Sequence, residues 1–580
     1  MQIFTSQGHS MNGKNAILGI HDGHNASACV IVDGKVEYFV QEERLRYKKN
    51  YWGFPTECVR DALKVTGLTQ DDLKAVVFDT EARVPRNRDL KEVLFSFERL
   101  LKTSGLLRMA CIHALGTGIG GQAKKGIQVR KNYLAECGIT APIPVKAYNH
   151  HLCHAASAYY AMREDLDSEH LVLTLDGAGE KYCSTVSIAK DGELRKIADT
   201  AIGDSLGTIY AVITFLMGFV PYEHEYKLMG MAPYCAPNRA EEAAQMFHHY
   251  LGVREDGLGF RRKKFLPMNM QMKSLLRDMQ MMRFDTLAAG LQKFTEDLML
   301  EWVKRCIEKT KVRKVVCGGG VFMNVKANKL IMDLPETEYL GVLPSCGDES
   351  LAYGAAALAW KESEGASSLE PWGSIYFGHT IDDAEAEKLL TEKGIKFSKP
   401  DDIERSIAEL LASGHPVARC RGGMEFGARA LGNRSILADP SLQDCVRVIN
   451  HMVKKRDFWM PFAPMVLKER MHDYLVNPKS FGSPHMMLSY DTKDNFPEFI
   501  AAVQNADLTA RAQILEEAHN PDMYRCLKHF ESITGRGVIL NTSFNLHGYP
   551  VCMGPKEAIH VFENSGLEYL ALGSLLATKK

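Results

Sequence analysis

The apolar positions of the first fifty residues come in short runs, not helical stripes. Residues 17–20, 26–32 and 35–41 read as strands, with the polar turn His21-Asp22-Gly23-His24-Asn25 after the first. Asp33-Gly34 joins the other two as a tight hairpin, because this pair supplies the positive φ that a two-residue turn needs. The pattern returns far along the chain. Residues 171–175 read as a strand, Asp176-Gly177-Ala178-Gly179 as a turn, 183–189 as a strand and Asp191-Gly192 as a hairpin. Two such copies, separated by helical sequence, predict an internal duplication; the alternative is two unrelated hairpins.

Duplicated α/β halves of this kind, facing each other across a cleft, are the architecture of actin-like ATPases, where both turns approach a nucleotide's phosphates. Helical periodicity covers much of 88–137 and 286–308, and a strand at 314–317 runs into Gly318-Gly319-Gly320. Small, polar Gly365-Ala366-Ser367-Ser368, closed by Pro371, reads as a linker. Beyond it the pattern is mixed α and β, with a strand at 538–540. A chain of 580 residues is too long for one core, so it is expected to divide near residue 370, into 14–370 and 371–580.

Composition narrows the chemistry. With 46% hydrophobic and 24% charged residues the chain is neither disordered nor fibrous. Seventy Lys and Arg against 71 Asp and Glu leave a net charge of −1, so there is no broad basic footprint for nucleic acid or anionic lipid. The balance favours a small-molecule partner. Fourteen cysteines, none in a C-x-x-C pair, exclude a zinc ribbon or thioredoxin-like motif and are expected to be reduced and mostly buried. Residues 1–14 lack the apolar segment of a signal peptide, and the apolar run 211–220 is too short to span a bilayer. The expectation is a soluble cytoplasmic protein.

Asn149-His150-His151-Leu152-Cys153-His154 opens an Ala-rich helical stretch. His150 and His154, at i and i+4, project from one face, a spacing suited to a metal, whereas His151 points elsewhere. The second turn offers Asp176, and Gly347-Asp348 before an apolar helix offers Asp348, whose plain alternative is helix capping. Two His and two Asp suit Fe²⁺, Mn²⁺ or Zn²⁺. Gly318-Gly319-Gly320, followed by Asn324, is a glycine turn where backbone can approach a nucleotide. Residues 227–234 (KLMGMAPY) place a lysine able to reach a phosphate or to lie on the surface.

Residues 419–434, RCRGGMEFGARALGNR, hold four arginines among four glycines, and Lys454-Lys455-Arg456 follows. Arginine is the planar, bidentate partner of phosphate and carboxylate, and interleaved apolar residues argue for a buried anion pocket over a solvated face. Asn541-Thr542-Ser543-Phe544-Asn545 puts amide and hydroxyl donors at a strand end, and Arg511 adds a further cation. There is no Walker A loop, so any use of ATP is of another type.

Together these blocks resemble the NodU/CmcH-type O-carbamoyltransferases, the family of nodulation-factor, cephamycin and tobramycin carbamoylation. The resemblance runs through HNAS, QEERLRYKK, HHLCHAASAYY, LDGAGE, KLMGMAPY, GGGVFMN, CGDES, GGMEFGARALGNRSILADP and NTSFN. It implies an N-terminal TsaD-like domain of the actin-like (ASKHA) class and a C-terminal YrdC-like α+β domain. ATP (with Mg²⁺) and carbamoyl phosphate would give carbamoyl-adenylate and pyrophosphate in the second. The first would pass the carbamoyl group to a hydroxyl of a small-molecule acceptor, as in secondary metabolism. The implied metal ligands are His150, His154, Asp176 and Asp348, with iron the metal, and His24 is the implied base. Gly177, Gly319, Gly320 and Asn324 would contact nucleotide; Arg429, Lys454, Arg511, Asn541 and Ser543 would bind carbamoyl phosphate or the adenylate.

Two departures bear on the second pocket. The family's R-P-F-A-P begins here with Met460, and its H-V-D-G-T-x-R reads Asn505-Ala506-Asp507-Leu508-Thr509-Ala510-Arg511. Arg456 or Lys455 is the candidate replacement; otherwise adenylation is expected to be slow. Competing readings are a threonylcarbamoyl-adenylate enzyme of tRNA modification, disfavoured by the neutral charge, and a non-catalytic nucleotide- and metal-binding member. The acceptor and the oligomeric state are not encoded in any motif, and the candidate acceptor segment 85–121 carries no decodable chemistry.

Overall fold

The computed structural model describes residues 15–81, 85–102, 119–454 and 456–579. Residues 103–118, within the expected helical stretch 88–137, and Lys455 lie outside them. Among the described residues, twelve strands build the first half: β1 (Ala16–His21), β2 (Ser27–Val32), β3 (Lys35–Gln41), β4 (Leu73–Phe78), β5 (Val145–Ala147), β6 (His170–Gly179), β7 (Tyr182–Lys190), β8 (Glu193–Ala201), β9 (Leu251–Val253), β10 (Phe260–Arg262), β11 (Lys314–Gly318) and β12 (Tyr339–Val342). One sheet runs β3-β2-β1-β4-β5 and a second runs β8-β7-β6-β11-β12. In each, the first strand pairs antiparallel with the second and parallel with the fourth, so the connectivity is the same. The duplication expected from the hairpins is therefore present in the fold. Both hairpins turn as expected, with Asp33 and Gly34 at φ 49° and 83°, and Asp191 and Gly192 at 52° and 77°.

Helices His150–Met162 and Leu351–Glu364 pack together between the sheets, the first on β6 and β11, the second on β1, β2 and β4. Glycine permits the close approach. A Cβ at Gly354 would stand 2.1 Å from the Cys153 carbonyl oxygen, and one at Gly19 would stand 2.0 Å from that of Ala352.

Three expectations are corrected. The turn at 176–179 is a continuation of β6, bulged between Leu175 and Gly179, and the chain reverses only after it, where Glu180 has a φ of 54°. A bulge re-aims a side chain without ending the strand, which is how Asp176 leaves the ladder. The linker after Gly365 is packed: Leu369 is buried, Arg163 donates to its carbonyl, and Ser368 accepts from Trp360 Nε1. The strand at 538–540 extends to Ser543, so Asn541 and Ser543 sit on it and not beyond its end.

The remaining strands are β13 (Lys396–Ser398), β14 (Val417–Cys420), β15 (Arg434–Ala438), β16 (Ala463–Leu467), β17 (Leu475–Val476), β18 (Tyr490–Thr492), β19 (Thr509–Ala510), β20 (Gln513–Leu515), β21 (Val538–Ser543), β22 (Tyr569–Leu572) and β23 (Leu575–Thr578). Eight form one mixed sheet in the order β13-β23-β22-β14-β15-β21-β16-β20, and β17-β18-β19 form a small one. The two halves are in intimate contact. Buried Arg44 donates to the carbonyls of Gly427 (2.6 Å) and Val551 (3.2 Å), and the rings of Phe39 and Phe426 stack at 3.6 Å. Among the described residues every cysteine is buried and free, and no helix is long and apolar enough to cross a membrane.

Candidate active site

His150 and His154 lie on the first turns of their helix, whose N-cap Asn149 accepts a hydrogen bond from Leu152 N–H. Helical period puts both rings on one face, toward the bulge of β6 and the loop before Leu351. One donor atom each from His150, His154, Asp176 and Asp348 lie within 4.8 Å of one another. His150 Nε2 is 3.7 Å from Asp176 Oδ2 and 3.5 Å from Asp348 Oδ1, and His154 Nε2 is also 3.5 Å from Asp348 Oδ1. Asp348 caps nothing; the turn before the helix begins at Gly347. His151 faces away, with Nδ1 against Thr174 Oγ1 and Nε2 against the Tyr182 carbonyl.

Charge is concentrated here. Burial works against a charged His150, yet Asp348, Asp176 and Asp79 together push it up to about 10. Burial and the neighbouring His150 and His154 drive His151 down to about 3. Burial opposes ionisation of Asp348 too, but the same two imidazoles and His21 hold it well below the usual carboxylate range. The backbone closes the rim. Gly320 N–H donates to Asp176 Oδ1 at 3.1 Å, and Gly319 takes a φ of 98° where a Cβ would stand 2.4 Å from the Leu175 carbonyl oxygen. Gly177 faces open space, its carbonyl accepting from Ser205 and Thr208. Asn324 is different: its amide is engaged with Gln292 in both directions at 2.9 Å, and it caps the helix Val325–Asp333.

His24 sits beside this cluster, bridged to Trp52 through the backbone, with its ring 5.2 Å from Trp52 and 6.0 Å from Tyr222. Burial lowers its pKa, against the pull of Asp348, which favours the neutral imidazole. Its turn is anchored from below. Asp22 is fully buried and takes Arg130 in a bidentate pair at 2.6 and 3.1 Å, while Arg130 also donates to the Thr80 carbonyl. His21 Nε2 donates to the His24 carbonyl (2.9 Å), and Nδ1 meets Asp79 at 3.0 Å. Asp79 and Arg130 belong to no motif in the sequence, and His21 is visible there only as part of the turn; the fold brings the three together.

The second pocket gathers Arg429, Lys454, Arg456 and Arg511. Burial, then Arg429 and Arg456, depress Arg511 far below its ordinary value, and burial followed by Arg456 does the same to Lys454. Arg456 falls to about 10 through burial and the Arg429 charge. Lys454 Nζ donates to Ser543 Oγ at 3.0 Å and Asn545 Oδ1 at 2.6 Å, and Arg456 donates to Thr542 Oγ1 at 3.0 Å. No carboxylate pairs with Arg429, Lys454, Arg456 or Arg511 among the described residues. Nε of Arg429 and of Arg511 has no hydrogen-bond partner. Asn541 donates to Ala430 and Gln513, leaving its oxygen free. Met460 is not among these cations: its sulfur packs at Gly230, on the other half of the molecule, 2.9 Å from where a Cβ would stand. Lys227 of the KLMGMAPY segment pairs with Asp457 at 3.1 Å, so it serves the contact between halves.

The two sites adjoin. Ser345, three residues before Asp348, accepts from Ala428 N–H (3.2 Å), next to Arg429, and donates to Glu349.

Comparison with known proteins gives the chain's relatives. A Methanocaldococcus jannaschii protein is 30% identical over 97% of this chain and 99% of its own. Nodulation protein NolNO of Sinorhizobium fredii is 28% identical over 96% of this chain and 79% of its own. Among solved structures, full-length HypF in its phosphate- and nucleotide-bound form aligns at 12% identity with a TM-score of 0.35, over 61% of this chain and 57% of that one. Residues 16–357 match the family described as Carbamoyltransferase N-terminus and residues 408–579 that described as Carbamoyltransferase C-terminus. The chain therefore belongs to the carbamoyltransferase family.

Proposed function

We propose that the protein is an ATP-dependent O-carbamoyltransferase acting in two steps on a hydroxylated small molecule. The observation that carries the two-step reading is the group of four cations, Arg429, Lys454, Arg456 and Arg511, gathered without a carboxylate. Cations at this density, Lys454 buried and the three arginines half-buried, are costly unless an anion joins them, and phosphates are the matching anion. Carbamoyl phosphate releases inorganic phosphate to water, the resulting carbamate attacks the α-phosphorus of ATP, and pyrophosphate leaves. The cations offset the phosphate charge throughout.

The carbamoyl-adenylate then meets the acceptor in the first half, the proposed TsaD-like domain, the second being the YrdC-like one. A neutral His24 takes the proton of the acceptor hydroxyl as its oxygen attacks the carbamoyl carbon, and AMP leaves. His150, His154, Asp176 and Asp348 fit a divalent ion. His150 Nε2 and both nitrogens of His154 are buried without a hydrogen-bond partner, and the two-nitrogen, two-oxygen set suits Fe²⁺, Mn²⁺ or Zn²⁺, of which the family resemblance implies iron. When bound, the ion supplies Lewis acidity toward a carbonyl or phosphate oxygen. Gly177, Gly319 and Gly320 offer backbone to a nucleotide; Asn324 supports the turn instead, through Gln292.

The test is mass spectrometry of products from ATP, carbamoyl phosphate and a panel of hydroxylated metabolites, with and without Fe²⁺. A gain of one carbamoyl unit that His154→Ala abolishes is expected. Modification of tRNA in its place would end the reading.

A further inference from the structure

The family reading leaves the acceptor open, and a cleft set off from His24 by the Trp52 ring bears on it. Its volume is about 660 Å³, and Arg86, Asn87, Arg88, Phe95, Ser96 and Tyr133 line it. Arg88 of the cleft wall is linked to His24 by two backbone bridges, His24 to Trp52 and Trp52 to Arg88. The Arg88 guanidinium lies over the Trp52 ring at 5.1 Å, and the Trp52 ring is 5.2 Å from that of His24. Tyr222 stands between His24 and the helix that carries Phe95, its ring 6.0 Å from that of His24 and 5.7 Å from that of Phe97. Trp52 stands between Arg88 of the cleft wall and His24.

The wall has a distinct chemistry. Arg86 and Arg88 are exposed, and neither has a carboxylate partner among the described residues. One carboxylate, Glu92, shares the wall, and Asp89 is occupied in capping Glu92 N–H. Two guanidinium groups against one carboxylate favour an anion. Phe95 is 64% exposed, and Tyr133 is held by a stack on Phe54 at 4.8 Å, so flat apolar surface stands beside the charges. Asn87 and Ser96 add hydrogen-bonding groups for hydroxyls.

We infer that this cleft is the acceptor site and that it selects a polyhydroxylated molecule carrying an acidic group, a carboxylate or a phosphate monoester. Arg86 and Arg88 hold the acid, the aromatic rings carry the ring skeleton, and a hydroxyl is directed along Trp52 to His24. The inference rests on the carbamoyl-transfer reading and narrows it to a substrate class.

The experiment measures binding of three probes to the full chain by saturation-transfer NMR and calorimetry: glucuronate, glucose 6-phosphate and glucose. Both acids are expected to bind at least tenfold more tightly than glucose. Arg86→Gln combined with Arg88→Gln is expected to remove that preference, and Arg88→Lys to restore part of it. The double variant Arg429→Gln, Arg511→Gln, in the other cationic pocket, separates the two sites: glucuronate binding that survives it supports the inference. Equal binding of acid and neutral sugar, or loss of preference only in the Arg429 and Arg511 variant, overturns it. A preference for one acid over the other identifies the group. Pyrophosphate release from ATP and carbamoyl phosphate, measured on the unaltered protein, keeps the two claims apart. Its absence beside an intact acid preference counts against the carbamoyl-transfer reading, and its presence without that preference counts against the acceptor assignment alone.

Discussion

Asp79 reaches His150 at the ring nitrogen that faces away from the carboxylate cluster, 3.6 Å from Nδ1, while its other oxygen meets His21 Nδ1 at 3.0 Å. One carboxylate thus orients a proposed metal ligand and the strand end that carries the His24 turn. Such outer partners fix the ring and raise its basicity. Asp79→Asn is expected to weaken Zn²⁺ or Fe²⁺ binding tenfold to a hundredfold, read by competition with a chelator. An unchanged affinity would remove Asp79 from the site.

How much of this was legible in the sequence depends on the kind of contact. The His150 and His154 pair followed from helical period, and the duplicated sheet followed from two Asp-Gly hairpins, because both are local rules. Asp79 ends a strand with no motif around it; its place beside His150 depends on the parallel pairing of β4 with β5, which leads into that helix. Arg130 was hidden for the same reason, lying 108 residues from Asp22. Asn324 shows the converse: its motif was visible, but its partner Gln292, on a distant helix, decides what the amide does.

The buried pair of Asp22 and Arg130 gives a stability test. Removing one partner leaves an uncompensated buried charge, so Arg130→Met is expected to cost about 3–5 kcal/mol. Joint replacement with Asp22→Leu is expected to cost clearly less than the sum of the single changes. Urea denaturation of the four proteins measures it, and strict additivity would deny the coupling.

The cationic pocket predicts a pH-dependent response to sulfate, an anion of constant charge. Lys454 is depressed mainly by burial, so below its folded value it carries its proton at full cost. That cost fades as pH climbs toward the ordinary lysine value near 10.5. Sulfate relieves the cost. Its effect on the melting temperature is therefore expected to be larger at pH 6 than at pH 9.5. Lys454→Met is expected to flatten that difference. A sulfate effect independent of pH would count against a strained Lys454.

Met460 packs on Gly230 while Arg456 joins the cations, so Arg456 is expected to do the work that the missing arginine does elsewhere in the family. Arg456→Gln is expected to lower pyrophosphate release from ATP and carbamoyl phosphate by a hundredfold or more. Met460→Arg is expected not to raise it. An increase with Met460→Arg would mean that the pocket is incomplete as it stands.

The hydrogen bond from Ala428 to Ser345 has a consequence for time as well as space. A mixed anhydride of carbamate and AMP is prone to hydrolysis, and its survival depends on how long water has access to it. In this chain the loop that presents Arg429 and the loop that presents Asp348 meet at one serine, so the two proposed sites are joined through Ser345. On the proposed reaction, the lifetime the intermediate needs is that of a short transfer within one folded chain, and not that of a diffusing metabolite.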